Sequence, residues 1–212
     1  MPSAAADGAI VNPAEAAELA WQRLQPKRWP LPPEAFPGEA ALVGGAVRDA
    51  LLDRLGTTPD LDLVVEGSGA ALVEQLAQAL AQRGFDGAIT SSQVHGAYGT
   101  VELELVVAGQ SLLLDVATAR RESYGVPAEN PQVRFGALAD DLARRDFTIN
   151  AMALVLAGAG SLSPVLLDPH GGQADLERRQ LRLLLQHQQV QEQLLRCQHL
   201  ARAFQKEQLH VG

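Results

Sequence analysis

Apolar residues recur along this chain with two different spacings, and these spacings predict where its helices and strands lie. Helical spacing covers residues 13–25, where Asn12 precedes the helix and Pro13 begins it, and residues 70–83, which end before Gly84. Short apolar or alternating runs predict strands at 40–43, 60–65, 87–90, 100–107, 112–116 and 165–167. Strand, helix, strand, helix and hairpin in that order predict an α+β fold, with a mixed sheet covered by helices on one face.

The same pattern divides the chain into three segments. Residues 1–38 predict a helical and proline-rich arm, residues 39–185 the α+β domain, and residues 186–212 a glutamine-rich helical tail. An apolar stripe in the tail predicts one packed face of a helix over 188–206, formed by Val190, Leu194, Cys197, Ala201 and Phe204. Contact of this tail with an RNA backbone stays open, but packing on the core or on a partner helix is favoured because the tail carries few charges.

Composition excludes several classes of protein. The net charge of −8 over 212 residues argues against a protein that grips nucleic acid with its whole surface, so any such contact must be local. The single cysteine, Cys197, excludes an intrachain disulfide and a cysteine-based zinc site. No apolar run approaches the roughly 18 residues of a membrane span, and the first residues lack the pattern of a secretion signal. We therefore expect a cytoplasmic protein without a membrane partner.

Two glycines follow the first predicted strand and suit a phosphate group. Gly44 and Gly45 carry no Cβ, so a ligand can approach their backbone N–H groups closely. The predicted helix after them directs its N-terminus and its dipole at the same place. Arg48 lies on the first turn of that helix, where its guanidinium can bond two phosphate oxygens. A glycine pair alone, however, is most often an ordinary turn.

Carboxylates on neighbouring predicted strands suit divalent metals. Asp60 and Asp62 alternate with two leucines, so they share one face of their strand, about 7 Å apart at Cα. Two carboxylates at that spacing can hold divalent metal ions roughly 4 Å apart, although such a pair alone is usually solvated. Asp115 interrupts an apolar strand and is either a third metal ligand or a strand-end acid bonded to nearby backbone.

A second charged motif precedes an apolar run. Arg144, Arg145 and Asp146, with Asn150 four positions further on, stand immediately before the apolar residues 152–156. Adjacent arginines flanked by acids are most often a solvated cluster of ion pairs. Here the position of the motif places its charges at the mouth of the core.

These motifs together resemble the signatures of the DNA polymerase β-like nucleotidyltransferases. The resemblance is to the class II tRNA CCA-adding enzymes and bacterial poly(A) polymerases, and it extends over residues 41–184. It implies a polymerase β-like head with Mg²⁺ in a two-metal site, CTP or ATP as substrates, and the 3′ end of a tRNA or another RNA as partner. The implied catalytic residues are Asp60, Asp62 and Asp115, the first two as metal ligands. The implied nucleotide contacts are Gly44, Gly45, Arg48 and Arg145 to the triphosphate, Asp146 to the sugar and Asn150 in support.

Two further stretches are similar to that family. Residues 118–124, Thr-Ala-Arg-Arg-Glu-Ser-Tyr, resemble a stretch that leads into a flexible loop near the incoming nucleotide, and we expect 117–139 to be such a loop or an ordinary surface excursion. Residues 168–172, Asp-Pro-His-Gly-Gly, are interpreted as scaffold, because one histidine beside two glycines is typical of a turn.

The resemblance is incomplete at the C-terminal side. The family's Glu-Asp-x-x-Arg signature, which pairs with the incoming base, is absent from this sequence, and the tail reads as a truncated neck. We expect a metal-dependent RNA nucleotidyltransferase that adds CCA, CC or A to tRNA. The alternatives are a poly(A) polymerase, or a truncated head that binds nucleotide or a partner without transfer. A second polypeptide that supplies the neck would be a further partner.

Overall fold

The computed structural model describes residues 12–29, 40–56, 60–82, 84, 88–95, 100–107, 109–123, 132–156 and 163–184. Helix α1 (Pro13–Leu24) begins where the sequence predicts, because Oδ1 of Asn12 accepts a hydrogen bond from the backbone N–H of Ala14 at 3.1 Å. The helix ends before Gln25, whose φ of 49° is left-handed. A short 3-10 turn (Pro26–Arg28) follows.

Seven strands within these residues form one mixed sheet. In chain order the remaining elements are β1 (Ala40–Val43), α2 (Gly45–Leu51), β2 (Leu61–Val65), α3 (Gly69–Gln82), β3 (Ile89–His95), β4 (Thr100–Val107), β5 (Gln110–Thr118), β6 (Arg120–Ser123), β7 (Gln132–Phe135), α4 (Leu138–Ala143), β8 (Ala153–Val155), β9 (Val165–Leu167) and α5 (Gly172–Glu177). The sheet order is β3-β4-β5-β2-β1-β8-β9, with β2 and β5 parallel and the other pairs antiparallel. The predicted α+β class, a mixed sheet flanked by helices, is confirmed.

The two faces of the sheet have different surroundings. Leu61 and Leu63 of β2 lie on the face that packs against α1, α2 and α3, in the main hydrophobic core. The alternation of the strand places Asp62 on the opposite face. There a smaller apolar cluster includes Leu138 and Leu142 of α4. The expectation of helices on one face is therefore corrected, because α4 covers part of the second face and leaves the Asp62 end open.

The hairpin between β4 and β5 is confirmed, whereas two other elements differ from prediction. Val107 pairs with Gln110, and Gly109 has the positive φ (78°) that so tight a turn requires. β3 covers 89–95 instead of 87–90, because an edge strand can carry polar residues on both faces. The expected loop 117–139 contains the paired strands β6 and β7 and the start of α4. The sequence did not predict these elements, because their short, charged segments show no hydrophobic period.

Several sequence predictions fall on residues outside the described ranges. The tail helix over 188–206 is one of them, and the division of the chain into three segments stays a prediction. Among the helices that the structure does describe, none combines the length and the apolar character needed to span a bilayer.

Candidate functional site

Asp60, Asp62 and Asp115 lie together at the face of the sheet opposite the main hydrophobic core. Asp62 is in β2 and Asp115 in β5, and the parallel register of these strands pairs the two residues directly. Asp60 immediately precedes β2 and is exposed. One carboxylate oxygen from each of the three lies within 4.8 Å of the others. The structure thus brings together the three acids that the sequence singled out, and we call them the carboxylate trio.

The electrostatics of the carboxylate trio favour a bound cation. Burial raises the pKa of the Asp62 carboxyl above its ordinary value, and the charges of Asp60 and Asp115 raise it further, whereas Arg145 lowers it. Carboxylates that oppose one another's ionisation are stabilised when a cation lies between them. Carboxylate oxygens are also the ligands that Mg²⁺ prefers in proteins. The donor set therefore fits Mg²⁺.

The glycine turn adjoins the carboxylate trio. Gly44 precedes α2 with φ of 68° and ψ of −128°, a conformation that side chains other than glycine rarely adopt. A Cβ added to Gly44 would lie 3.0 Å from Nη1 of Arg145 and 3.8 Å from Oδ2 of Asp62. The backbone of this turn therefore approaches one guanidinium and one carboxylate at the same point.

A pocket of about 340 Å³ opens beside this turn. Its walls come from the start of α2 and from the segment that leads into β2, and it includes two members of the carboxylate trio; the lining residues are Gly45, Ala46, Arg48, Asp49, Leu55, Gly56, Asp60 and Asp62. The sequence analysis gave Asp49 no functional role, yet this residue bonds Arg48 through both carboxylate oxygens, at 2.8 and 3.0 Å. An acid directly after a predicted phosphate-binding arginine was the available signal.

Asn150 connects the charged residues around this pocket. It ends a 3-10 turn (Thr148–Asn150), and its Oδ1 accepts a hydrogen bond from Nη1 of Arg48 at 2.8 Å. Its Nδ2 donates to Oδ1 of Asp146 at 3.2 Å. Its backbone carbonyl accepts from Nη1 of Arg145 at 3.4 Å. The two sequence motifs, which lie about a hundred residues apart, are thus joined through one amide side chain.

The two arginines of the second motif share an acid, Asp141, to which the sequence analysis gave no role of its own. Asp141 of α4 is fully buried, with 0% of its surface exposed. It accepts hydrogen bonds from Arg144 Nε at 2.9 Å and from Arg145 Nη2 at 3.1 Å. The spacing of three and four residues is that of ion pairs on a helix, so a signal existed. What the spacing cannot show is which acid faces the sheet.

The Asp-Pro-His-Gly-Gly stretch forms a turn that supports this motif. Both carboxylate oxygens of Asp168 accept backbone hydrogen bonds at the start of α5, from Gly172 at 2.7 Å and from Gln173 at 2.9 Å. A Cβ on Gly172 would lie 2.3 Å from the backbone oxygen of Thr148, so only glycine fits there. Asp175 in α5 accepts hydrogen bonds from the hydroxyl of Thr148 and from Nε of Arg182. These contacts hold the 3-10 turn that carries Asn150.

Comparison with known proteins agrees with this geometry. The model of the poly(A) polymerase head domain matches residues 40–182. A CC-adding tRNA nucleotidyltransferase of Deinococcus radiodurans is 42% identical over 199 residues, which are 91% of this chain and 49% of that relative. An A-adding tRNA nucleotidyltransferase of Halalkalibacterium halodurans is 39% identical over 143 residues, 68% of this chain and 30% of the relative.

A solved structure gives the same result. The Thermotoga maritima CCA-adding enzyme complexed with tRNA-CCA superposes with a TM-score of 0.57 at 30% identity, and the match covers 80% of this chain and 36% of that one. The chain spans about half the length of the Deinococcus relative and less of the other two. Because the head-domain model covers more than half of the chain, this protein belongs to the poly(A) polymerase head-domain family, to which its sequence motifs pointed.

Proposed function

We propose that this chain is the catalytic head of a metal-dependent tRNA nucleotidyltransferase, which transfers CMP or AMP from CTP or ATP to the 3′ hydroxyl of a tRNA. The observation that carries the proposal is the carboxylate trio beside the glycine turn and Arg145. The Deinococcus and Halalkalibacterium relatives are named CC-adding and A-adding tRNA nucleotidyltransferases, which supports tRNA as the acceptor and CTP or ATP as the donor.

Asp60 and Asp62 would hold two Mg²⁺ ions, with Asp115 as a further carboxylate toward them. Bound there, the ions supply activation of a hydroxyl nucleophile and neutralisation of the leaving pyrophosphate. In the transfer itself the 3′ oxygen forms a bond to the α-phosphorus, and the bond from that phosphorus to the bridging oxygen of pyrophosphate breaks. The main contribution of the protein is to place the two reactants in line.

Basic groups of this chain would hold the triphosphate. Gly45 offers its backbone N–H group at the start of α2, whereas the N–H of Gly44 donates to the backbone carbonyl of Met152 at 3.4 Å, so Gly44 would contribute only the close approach of its backbone. Arg48 lines the pocket, with its guanidinium fixed by Asp49 and Asn150. Arg145 lies against the same turn. Fixed guanidinium groups bind phosphate oxygens without further loss of side-chain entropy, which is the advantage of a preorganised site.

Asp146 would bind the sugar of the incoming nucleotide. Its Oδ1 already accepts hydrogen bonds from the backbone N–H of Phe147 at 2.8 Å and from Asn150. This orients the carboxylate before a nucleotide arrives. A carboxylate that accepts a hydrogen bond from the 2′ hydroxyl would favour ribonucleotides over deoxyribonucleotides.

The test is incorporation of label into tRNA. The protein is incubated with Mg²⁺, labelled CTP or ATP, and tRNA that ends before CCA, at CC or at CCA. Extension of only one or two of these acceptors, ending at a defined nucleotide, is the expected result and identifies the residues added. Continued extension with ATP would instead assign a poly(A) polymerase. Nucleotide binding without extension of any acceptor would contradict transfer and leave a nucleotide-binding head.

A further inference from the structure

Two adjacent acids on α4 have opposite environments. Asp141 is fully buried, whereas Asp140 is only partly buried, with 24% of its side chain exposed, and bonds the exposed Arg121 at 2.7 Å. A buried carboxylate costs several kcal/mol in lost hydration unless it is fully paired. The hydrogen-bond partners of Asp141 must therefore offset the cost of burying its carboxylate.

Each carboxylate oxygen of Asp141 accepts a hydrogen bond from a different arginine. Oδ1 accepts from Nε of Arg144 at 2.9 Å, and Oδ2 accepts from Nη2 of Arg145 at 3.1 Å. On its other side, Arg144 approaches Glu122 of β6 at 3.5 Å, and Glu122 also pairs with Arg120 at 3.1 Å. Asp141 is thus anchored to the β6–β7 hairpin, away from the carboxylate trio.

Arg145 is held between this anchor and the glycine turn. Its Nη2 bonds Asp141, while its Nη1 bonds the backbone carbonyl of Asn150 and lies where a Cβ on Gly44 would come within 3.0 Å. Its buried Nε has no acceptor among the residues that the structure describes. The bonds to Asp141 and Asn150 therefore set the plane and position of the guanidinium.

We propose that Asp141 is a positioning residue, which fixes the Arg145 guanidinium against the glycine turn so that it meets the nucleotide triphosphate in one orientation. The inference rests on the proposed function, since it assumes that Arg145 binds the triphosphate. Asp141 itself touches no substrate. It acts by removing alternative rotamers of Arg145, whose long side chain would otherwise lose entropy when the nucleotide binds.

The test is a double-mutant cycle on nucleotide affinity. The dissociation constant for CTP and for ATP is measured by equilibrium dialysis, without RNA, for the unmodified protein, Asp141→Asn, Arg145→Met and the double variant. Asp141→Asn should weaken binding by about tenfold, because an amide cannot accept from both arginines. In the Arg145→Met background the same change should have no further effect, because the residue through which it acts is gone.

Asp140→Asn is the matched control, since it removes the neighbouring, partly exposed carboxylate of the same helix, which bonds neither Arg144 nor Arg145, and it should leave nucleotide affinity unchanged. Thermal unfolding of every variant shows whether it is folded. If Asp141→Asn does not fold, the cycle is repeated with Asp141→Glu, which keeps the charge but moves the carboxylate by one methylene group. That variant should again weaken binding only where Arg145 is present.

The outcomes separate this inference from the proposed function. If Asp141→Asn or Asp141→Glu weakens binding equally with and without Arg145, or not at all, the positioning role is overturned while nucleotide binding stands. If the unmodified protein binds neither CTP nor ATP, the proposed function and this inference both fail.

Discussion

Asp62 and Asp115 are paired residues of the parallel strands β2 and β5, so the register of the sheet itself sets the separation of their carboxylates. The pairing joins segments that are far apart in the sequence. Two acids at matched positions repel each other, and the fold keeps them together although Asp62 is half-buried. A site that sacrifices stability in this way is typical of function.

The first prediction concerns stability without metal. Replacement of Asp62 by Asn should leave the melting temperature equal or higher. It removes a carboxylate whose ionised form is disfavoured in the folded protein, since burial and the charges of Asp60 and Asp115 raise its pKa. Added Mg²⁺ should raise the melting temperature of the unmodified protein but not of the variant. Calorimetry with and without Mg²⁺ measures both. Glu104→Gln replaces a half-buried acid on β4 outside the carboxylate trio; it is the control and should respond to Mg²⁺ as the unmodified protein does. A marked loss of stability in metal-free Asp62→Asn would contradict the repulsion.

The second prediction separates backbone strain from contact at the glycine turn. Gly44→Ala should cost about 1–3 kcal/mol of unfolding free energy, because alanine is strained at positive φ, and it should also weaken nucleotide binding, because its Cβ displaces Arg145. Gly67→Ala is matched to it, with φ of 114° and nothing within 4 Å of the added Cβ. It should lose stability without losing affinity. Denaturant unfolding and nucleotide titration measure the two effects. Equal affinities for both variants would mean that the close approach at Gly44 has no role in binding.

The third prediction concerns pH. Hydrogen bonds from Thr148 and Arg182 lower the pKa of Asp175 below its ordinary value, although burial opposes them. A lowered pKa contributes stability that is present above the unfolded pKa of about 3.9 and is lost as pH falls through the lower folded value. Asp175→Asn should therefore lose about 1–3 kcal/mol of unfolding free energy near pH 7. On acidification, the stability of this variant should fall less than that of the unmodified protein.

Urea unfolding at a series of pH values measures this difference. The control is Asp53→Asn, since the Asp53 side chain is 75% exposed and its ion pair with Arg23 is on the surface. Parallel pH profiles for the unmodified protein and Asp175→Asn would show that Asp175 is not the group concerned.

Local patterns in the sequence were enough for much of the fold. Asn12 and Pro13 predicted the start of α1, and the alternation around Asp62 predicted which side of β2 faces the core. Both are decided by contacts within a few residues. The prediction that Asp115 faces Asp62 came only from the presence of an acid in an apolar strand. The structure adds the strand register that pairs the two residues.

Other features could not be read from the chain because they depend on distant contacts. Asp140 and Asp141 are the same residue type at adjacent positions, and only the packing of α4 on the sheet decides which one is buried. The β6–β7 hairpin has strands of four residues each, too short to show a period. The link from Arg48 to Asn150 spans 102 positions, and no local pattern records it.

The central claim is that the carboxylate trio performs nucleotidyl transfer. Its most direct test is the rate of labelled CMP and AMP incorporation into tRNA that ends before CCA and at CC, at saturating Mg²⁺, for the unmodified protein, Asp62→Ala and Glu104→Gln. We predict transfer by the unmodified protein and by Glu104→Gln, and a loss of at least about a thousandfold in a folded Asp62→Ala variant. Transfer by Asp62→Ala at the unmodified rate would contradict the claim.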